Sequence, residues 1–361
     1  MKVLYISSDC LPDRRVERVA QTAKGEGHHI CFVGPFKEGV HIPTFPFDTF
    51  YRIPFNKFAN VKVPSYWSAL KRKLSRIIEE YNPDLIHAHN VIAARLAGEF
   101  SIPFIYDDHE YWSKKSKARR ETWKPSSIFK NWLWTRWEKW VVERASAVIV
   151  TCETVAEEHK ILNDEVYVVP NLPLRRITAS LKPNFKENKY LTSVYVGEDC
   201  SSPSLIPDRN VEGLTDLFYK NNVGKLVVIG DSQLPSSRNV ESLGFLPHRI
   251  MMEKLTKYNI GLLPWKKHWL HKYINPNKPY EYAHAGLFIL TTSDFPCVIH
   301  RLGECAVAFD NLSELNELLI SYANDLDEVQ ELRMKTRKFA LDNLTWEKNC
   351  EPHIIHMYSK I

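Results

Sequence analysis

Long apolar runs are missing from this chain of 361 residues: none approaches the length of a membrane-spanning helix, so the protein is expected to be soluble or attached to a membrane surface. Cysteine is sparse and unpatterned. Its seven residues form an odd, scattered set without a Cys-x-x-Cys pair, which argues against a disulfide framework or structural zinc site and fits a reducing, cytoplasmic setting. Met1 to Ile6 is too short for a signal-peptide core. What the chain does have is length for two domains, with 44 % hydrophobic and 12 % aromatic residues, enough to fill two cores.

Its patterning predicts an α/β protein. Met1 to Ser8 reads as a buried strand, Asp13 to Ala23 as a helix and Ile30 to Val33 as a second strand, a βαβ opening. Two further apolar strands, ending at His87-Ala88-His89 and at Tyr106-Asp107-Asp108-His109-Glu110, each finish in histidines and carboxylates. In doubly wound sheets the carboxyl ends of strands are where ligands bind. A lone histidine there is more commonly a structural hydrogen-bonder, but two strands ending this way single out His109. Strands at Ala145 to Thr151 and Val166 to Val169, with a helix at Glu153 to Lys160 between them, complete the first sheet, and the run from Pro170 to Lys189 reads as a linker. A second parallel sheet is predicted from Ser193 to Gly197, Lys225 to Gly230, Val240 to Phe245, Ile260 to Leu263, Leu287 to Thr291 and Ala306 to Phe309.

The densest local signal is Pro276-Asn277-Lys278-Pro279-Tyr280-Glu281-Tyr282-Ala283-His284-Ala285-Gly286, followed by the apolar strand. The prolines and Asn277 favour a turn, so the segment Tyr280 to Ala285 would begin a helix with its unpaired N–H groups open to a pyrophosphate. Lys278 would stand beside that phosphate, Glu281 could accept hydrogen bonds from ribose hydroxyls, and Gly286 would close the helix.

This segment resembles the donor-binding signature of family 4 of the glycosyltransferases. Asp13-Arg14-Arg15-Val16, the Tyr-Asp-x-His-Glu strand ending and Asp208-Arg209-Asn210 resemble further segments of that family, and the resemblance covers nearly the whole chain, including Thr345-Trp346-Glu347. It implies a GT-B fold: two facing Rossmann-like domains with a cleft between them, an acceptor-side domain at 1–175, a donor domain at 190–344, and a C-terminal helix at 345–361 packing back onto the first. It also implies transfer of a sugar, with retention, from a nucleoside-diphosphate sugar to a hydroxyl of a lipid-linked or polysaccharide acceptor. His109 would be the catalytic residue; Arg209, Lys278 and Asn277 would bind the donor phosphates and Glu281 the ribose; Asp13, Arg14, His89 and Glu110 would contact acceptor or sugar. Neither a metal nor a cofactor is expected. The chain departs from the family in lacking a glycine-rich loop after its first strand, in carrying Glu198 where a second basic residue is common, and in having Tyr273 eight positions before Glu281 where many members have glutamate. Asp325-Leu326-Asp327 spells a metal-binding pattern of another transferase fold but falls at a polar helix start. Two other classes remain open, a nucleotide-sugar epimerase of the same fold and a non-catalytic membrane-associated scaffold.

Charge is concentrated in one place. Residues 112–140 hold nine Lys or Arg against two Glu, and six of the ten tryptophans, while the chain as a whole carries only +5. Such a stretch fits contact with an anionic membrane surface. It equally fits a helix whose tryptophans pack inward, and single-stranded nucleic-acid binders share the composition, though no recognition module accompanies it. Trp265 to Lys272, just before the donor segment, reads either as a loop over the sugar or as an exposed basic loop.

Overall fold

Parallel strands covered on both faces read as apolar runs, and the central strands of both sheets of this chain are largely of that kind. The structure is a computed structural model and describes all residues except 37–44, 54, 56–63, 119–124, 186–188, 199, 201–206, 221–222 and 232. The chain divides into two units, Met1–Pro170 with Cys350–Ile361, and Asn171–Asn349.

In the first unit β1 (Lys2–Ser7), β2 (His29–Gly34), β3 (Thr49–Arg52), β4 (Leu85–His89), β5 (Phe104–Asp108), β6 (Ala147–Val150) and β7 (Val166–Val168) form one parallel sheet in the order β3-β2-β1-β4-β5-β6-β7. Val3, Leu4, Tyr5 and Ile6 of β1 are all fully buried. The order reverses between β1 and β4, which opens a crevice at their carboxyl ends. The C-terminal helix Glu351–Lys360 belongs to this unit, where the hydroxyls of Tyr358 and Tyr5 lie 2.7 Å apart.

The second unit repeats the plan. Its strands β8 (Thr192–Gly197), β9 (Lys225–Gly230), β10 (Val240–Ser242), β11 (Ile260–Leu263), β12 (Phe288–Thr292) and β13 (Ala306–Phe309) are parallel in the order β10-β9-β8-β11-β12-β13, with the reversal between β8 and β11. The stretch 171–189, expected as a linker, is instead part of this unit. It carries the helix Arg175–Thr178, whose first N–H groups are capped by Glu347, and the Trp346 N–H donates to the Pro173 carbonyl at 2.9 Å. Residues 345–349 therefore stay with the second unit, and the chain rejoins the first at Cys350.

The basic, tryptophan-rich stretch forms two helices, Trp112–Ala118 and Pro125–Arg144. Trp112 and Trp134 are buried with ring centroids 5.2 Å apart, Trp134 meets Trp137 at 5.5 Å, and Trp137 meets Trp67 at 5.2 Å. The Arg95 guanidinium covers Trp140 at 4.1 Å. Four tryptophans, Trp112, Trp134, Trp137 and Trp140, thus pack inward. Ile128, Phe129 and Trp132 remain 44 %, 52 % and 51 % exposed. Arg119, Arg120, Glu121, Trp123 and Lys124 lie outside the described residues.

Candidate active site

Strand alternation and register assemble a polar cluster at the crevice of the first sheet. Side chains two apart share a face, so His87 and His89 stand together; parallel pairing sets Tyr5 beside His87, and His89 beside Asp107. The Tyr5 and His87 rings stack at 4.9 Å, the His87 and His89 rings at 4.8 Å. Asp107 is fully buried and takes the Arg15 guanidinium through Nη2 at 2.9 Å and Nε at 3.2 Å, while Arg15 Nη1 donates to the Val169 carbonyl at 2.7 Å. Three imidazoles face the same carboxylate: His89 Nδ1 at 3.3 Å, His87 Nε2 at 3.8 Å and His109 Nδ1 at 3.8 Å. Burial raises and Arg15 lowers the Asp107 carboxyl, and the cations and imidazoles prevail, leaving it well below the usual range. Burial pushes His87 down, and His89 down to about 4, so both are neutral at pH 7. Burial opposes charge on His109 too, but Asp107 outweighs it and the pKa is raised.

Other first-unit candidates are engaged locally. Asp13 caps the helix Arg14–Gly25 by accepting the Arg15 and Val16 N–H groups, Arg14 is exposed, and Glu110 pairs with Lys115 Nζ at 2.6 Å. On the opposite face Asp108 accepts the Tyr111 N–H at 2.9 Å and meets His159 Nε2 at 2.8 Å. That turn places Tyr111 at φ +41°, a left-handed conformation costly for a bulky residue, so the loop carrying His109 and Glu110 is held in one shape.

In the second unit the donor candidates gather around one indole. Trp265, directly after β11, is buried and donates its Nε1–H to the Tyr195 hydroxyl at 3.0 Å. The Arg209 guanidinium lies 5.6 Å and the Lys278 ammonium 5.1 Å from its ring centroid. Arg209 is fixed from both sides: the Lys266 N–H donates to the Asn210 carbonyl at 2.7 Å, and His271 Nε2 donates to the Asp208 carbonyl at 2.8 Å. The Trp265 to Lys272 stretch is therefore a strut: His271 is buried and stacks on Phe295 at 4.3 Å, and Lys266 and Lys267 pair with Glu212 and Asp310.

The helix runs Lys278–His284, two residues earlier at its start than the expected Tyr280, with Pro279 in the first turn and Asn277 at the cap position. The Asn277 side chain makes no capping bond, and its buried Oδ1 has no partner. Gly286 takes φ +77° just beyond the helix. Glu281 meets His248 Nε2 at 2.9 Å, a partner that nothing in the sequence pattern signals. The helix docks on the sheet through Tyr282, whose hydroxyl accepts the Val196 N–H at 2.9 Å. Its C-terminal end is fastened by buried Arg337, which donates to the His284 and Thr178 carbonyls, and by Arg333, whose Nε donates to the Gly286 carbonyl at 2.9 Å.

Residues 13–172, which carry Arg15, Asp107 and His109, match the sequence model of Glycosyltransferase Family 4. The amino-terminal unit is a family 4 glycosyltransferase domain. No curated protein compared with the chain matches it significantly. Among solved structures the chain is similar to sucrose-phosphate synthase from Thermosynechococcus elongatus, with a TM-score of 0.74 at 13 % identity over 100 % of this chain and 98 % of that one. It is also similar to WaaG, a glycosyltransferase involved in lipopolysaccharide biosynthesis (TM-score 0.67, 14 % identity, 98 % and 99 % covered), and to Anabaena Alr3699/HepE in complex with UDP and glucose (0.65, 13 %, 100 % of each). At these identities the likeness speaks for the fold, two parallel-sheet α/β domains of the GT-B type. Family match and fold together make this chain a glycosyltransferase.

Proposed function

We propose that this glycosyltransferase takes a nucleoside-diphosphate sugar as donor and passes the sugar, with retention, to a hydroxyl of a lipid-linked or polysaccharide acceptor. The observation that carries the reading is the convergence of Arg209 and Lys278 on Trp265 at the switch point of the second sheet. As the bond to the anomeric carbon breaks, negative charge grows on the departing diphosphate, and two fixed cations stabilise it there. Asn277 completes the phosphate side as a donor through its Nδ2 amide, and Glu281, oriented by His248, takes the ribose hydroxyls. His109 is assigned to the reacting sugar, with His89, Glu110, Asp13 and Arg14 at the same end of the first sheet. Alr3699/HepE holding UDP and glucose supports a uridine donor, and the role of WaaG in lipopolysaccharide biosynthesis supports a glycan acceptor.

We further propose that no metal takes part. Among the described residues His87, His89 and Asp107 bring donor-type atoms within 4.8 Å of one another, but Arg15 already neutralises Asp107, and an added divalent cation would bury excess positive charge. No described helix is long and apolar enough to cross a membrane. Contact with an anionic bilayer through Ile128, Phe129 and Trp132 is part of the proposal, since these exposed side chains sit on a helix within the most cationic stretch of the chain.

A thermal-shift panel of UDP-, GDP-, ADP- and CMP-sugars tests donor binding, because a ligand of the folded state raises the melting temperature by mass action. A shift with none of them overturns the reading. Incubation with the stabilising donor alone, followed by NMR of the sugar, separates transfer from epimerisation: an epimerised donor without acceptor would favour the second.

A further inference from the structure

The three imidazoles around Asp107 are not equivalent. His87 and His89 are fully buried, and His87 Nδ1 is engaged by the Tyr358 hydroxyl at 2.7 Å. His109 alone keeps an open edge, its side chain being 13 % exposed, yet its Nδ1 is sealed from solvent and has no hydrogen-bond partner. The ring is therefore seated with Nδ1 on the carboxylate side and its other edge toward solvent. Asp107 itself cannot swing away, because Arg15 grips it through two nitrogens and is in turn tied to the Val169 carbonyl.

We propose that Asp107, locked by Arg15, is the positioning residue for His109: it holds the imidazole by Nδ1 and leaves Nε2 as the nitrogen offered to substrate. At 3.8 Å the Nδ1 to Oδ1 separation is longer than a hydrogen bond, so the hold is electrostatic and tightens when the ring gains its proton. The other charged or titratable groups acting on His109 are Asp13 at the helix cap and Arg15 on the helix Arg14–Gly25, with His89 and His87 on β4 neutral. Arg15 and burial both disfavour the imidazolium, which leaves Asp107 as the principal group favouring it. The inference rests on His109 being the histidine that meets the sugar, but its test needs no donor.

Long-range ¹H–¹⁵N spectra of the full chain, with His109 assigned by comparison with His109→Gln, read both midpoint and tautomer. The expected result is a midpoint above the roughly 6.5 of a free imidazole and an Nδ1–H neutral form. In Asp107→Asn the midpoint should fall by about one pH unit or more, since the cation Arg15 then faces His109 without its counter-charge. A merely structural Asp107 would lower the melting temperature without moving that midpoint. An unchanged midpoint in folded Asp107→Asn, or a predominantly Nε2–H neutral ring in the wild type, overturns the proposal; the wild-type tautomer decides alone if the variant does not fold. Because the spectra are recorded on free protein, this outcome stays separate from whether any nucleotide-sugar binds.

Discussion

Lys278 and Arg209 share one indole, so under the proposed donor assignment removing either cation would leave the other without help at the departing diphosphate. Lys278→Ala is expected to cost roughly 2 to 4 kcal/mol of transition-state stabilisation, a fall in kcat/KM of about 10² to 10³. Glu281→Gln should mainly raise the donor KM, since the amide keeps the shape and the contact with His248 but loses the charge. Steady-state kinetics with the donor found by thermal shift checks both, and wild-type constants in both would remove the donor site from this helix. Turnover should also persist in EDTA; loss on chelation with recovery on adding Mg²⁺ or Mn²⁺ would contradict the charge assignment. The buried histidines predict a pH dependence of stability. Burial lowers His89 in the first unit and His284 in the second to about 4. Both are neutral when folded, whereas the unfolded chain takes up their protons below about pH 6.5. Their contribution is therefore complete above that pH and is lost as pH falls toward 4, at roughly 3 kcal/mol or less for each. His109, raised by Asp107, runs the other way: its contribution is full below the unfolded value and lost as pH rises through the folded one. Urea titrations across pH 4 to 8 should accordingly place the stability maximum near neutrality, and flat stability from pH 6.5 to 4 would show that the two buried rings charge freely.

The helix Lys278–His284 holds its place because β11 makes room for it. A Cβ on Gly261 would lie 2.4 Å from the Tyr282 ring, on the same side chain whose hydroxyl accepts the Val196 N–H. Gly261→Ala should push this helix off the sheet at a cost of about 1 to 3 kcal/mol and weaken donor binding through displaced Lys278. A calorimetric melt and a donor titration on the same sample test it; an unchanged melting temperature would mean that the ring moves aside freely. Elements of this kind divide into what the sequence shows and what it hides. The sheets are legible, since strands buried on both faces read as continuous apolar runs; β9, β11 and β13 have the expected bounds. The ends are less so: the expected strand to Phe245 stops at Ser242, and the supposed linker holds a helix capped by a glutamate about 170 residues away. Lys278, Arg209 and His109 stand out locally because turn prolines and strand ends mark them. Asp107 shares the strand ending that marks His109, but its pairing with Arg15 is hidden, as are the roles of His248, Arg333 and Arg337, for their partners are distant in sequence and long-range contacts leave no periodicity.

At the scale of the whole molecule the question is what the charge concentration serves. The helix Pro125–Arg144 spends Trp134, Trp137 and Trp140 on packing, which accounts for the tryptophan content but not for the face it leaves outward. Ile128, Phe129 and Trp132 lie at spacings of one and three residues, on one side of the helix, with the Phe129 and Trp132 rings 5.7 Å apart and the Arg136 guanidinium 5.5 Å from Trp132. Aromatic side chains with a cation at the edge suit the headgroup layer, where the ring is buried and the charge meets phosphate. The full chain should sediment with vesicles containing anionic lipid, and binding should fall as salt rises, because the Debye length shrinks to about 8 Å at physiological ionic strength. The double substitution Phe129→Ser and Trp132→Ser should release it about tenfold or more while leaving the melting temperature and donor binding in the second unit unchanged, since both residues are half exposed. Trp134→Ala should do the opposite, removing fully buried aromatic area at a cost of about 3 to 5 kcal/mol. Packing alone predicts equal sedimentation of the wild type and the double variant, and that result would assign the outward face of this helix to water rather than to lipid.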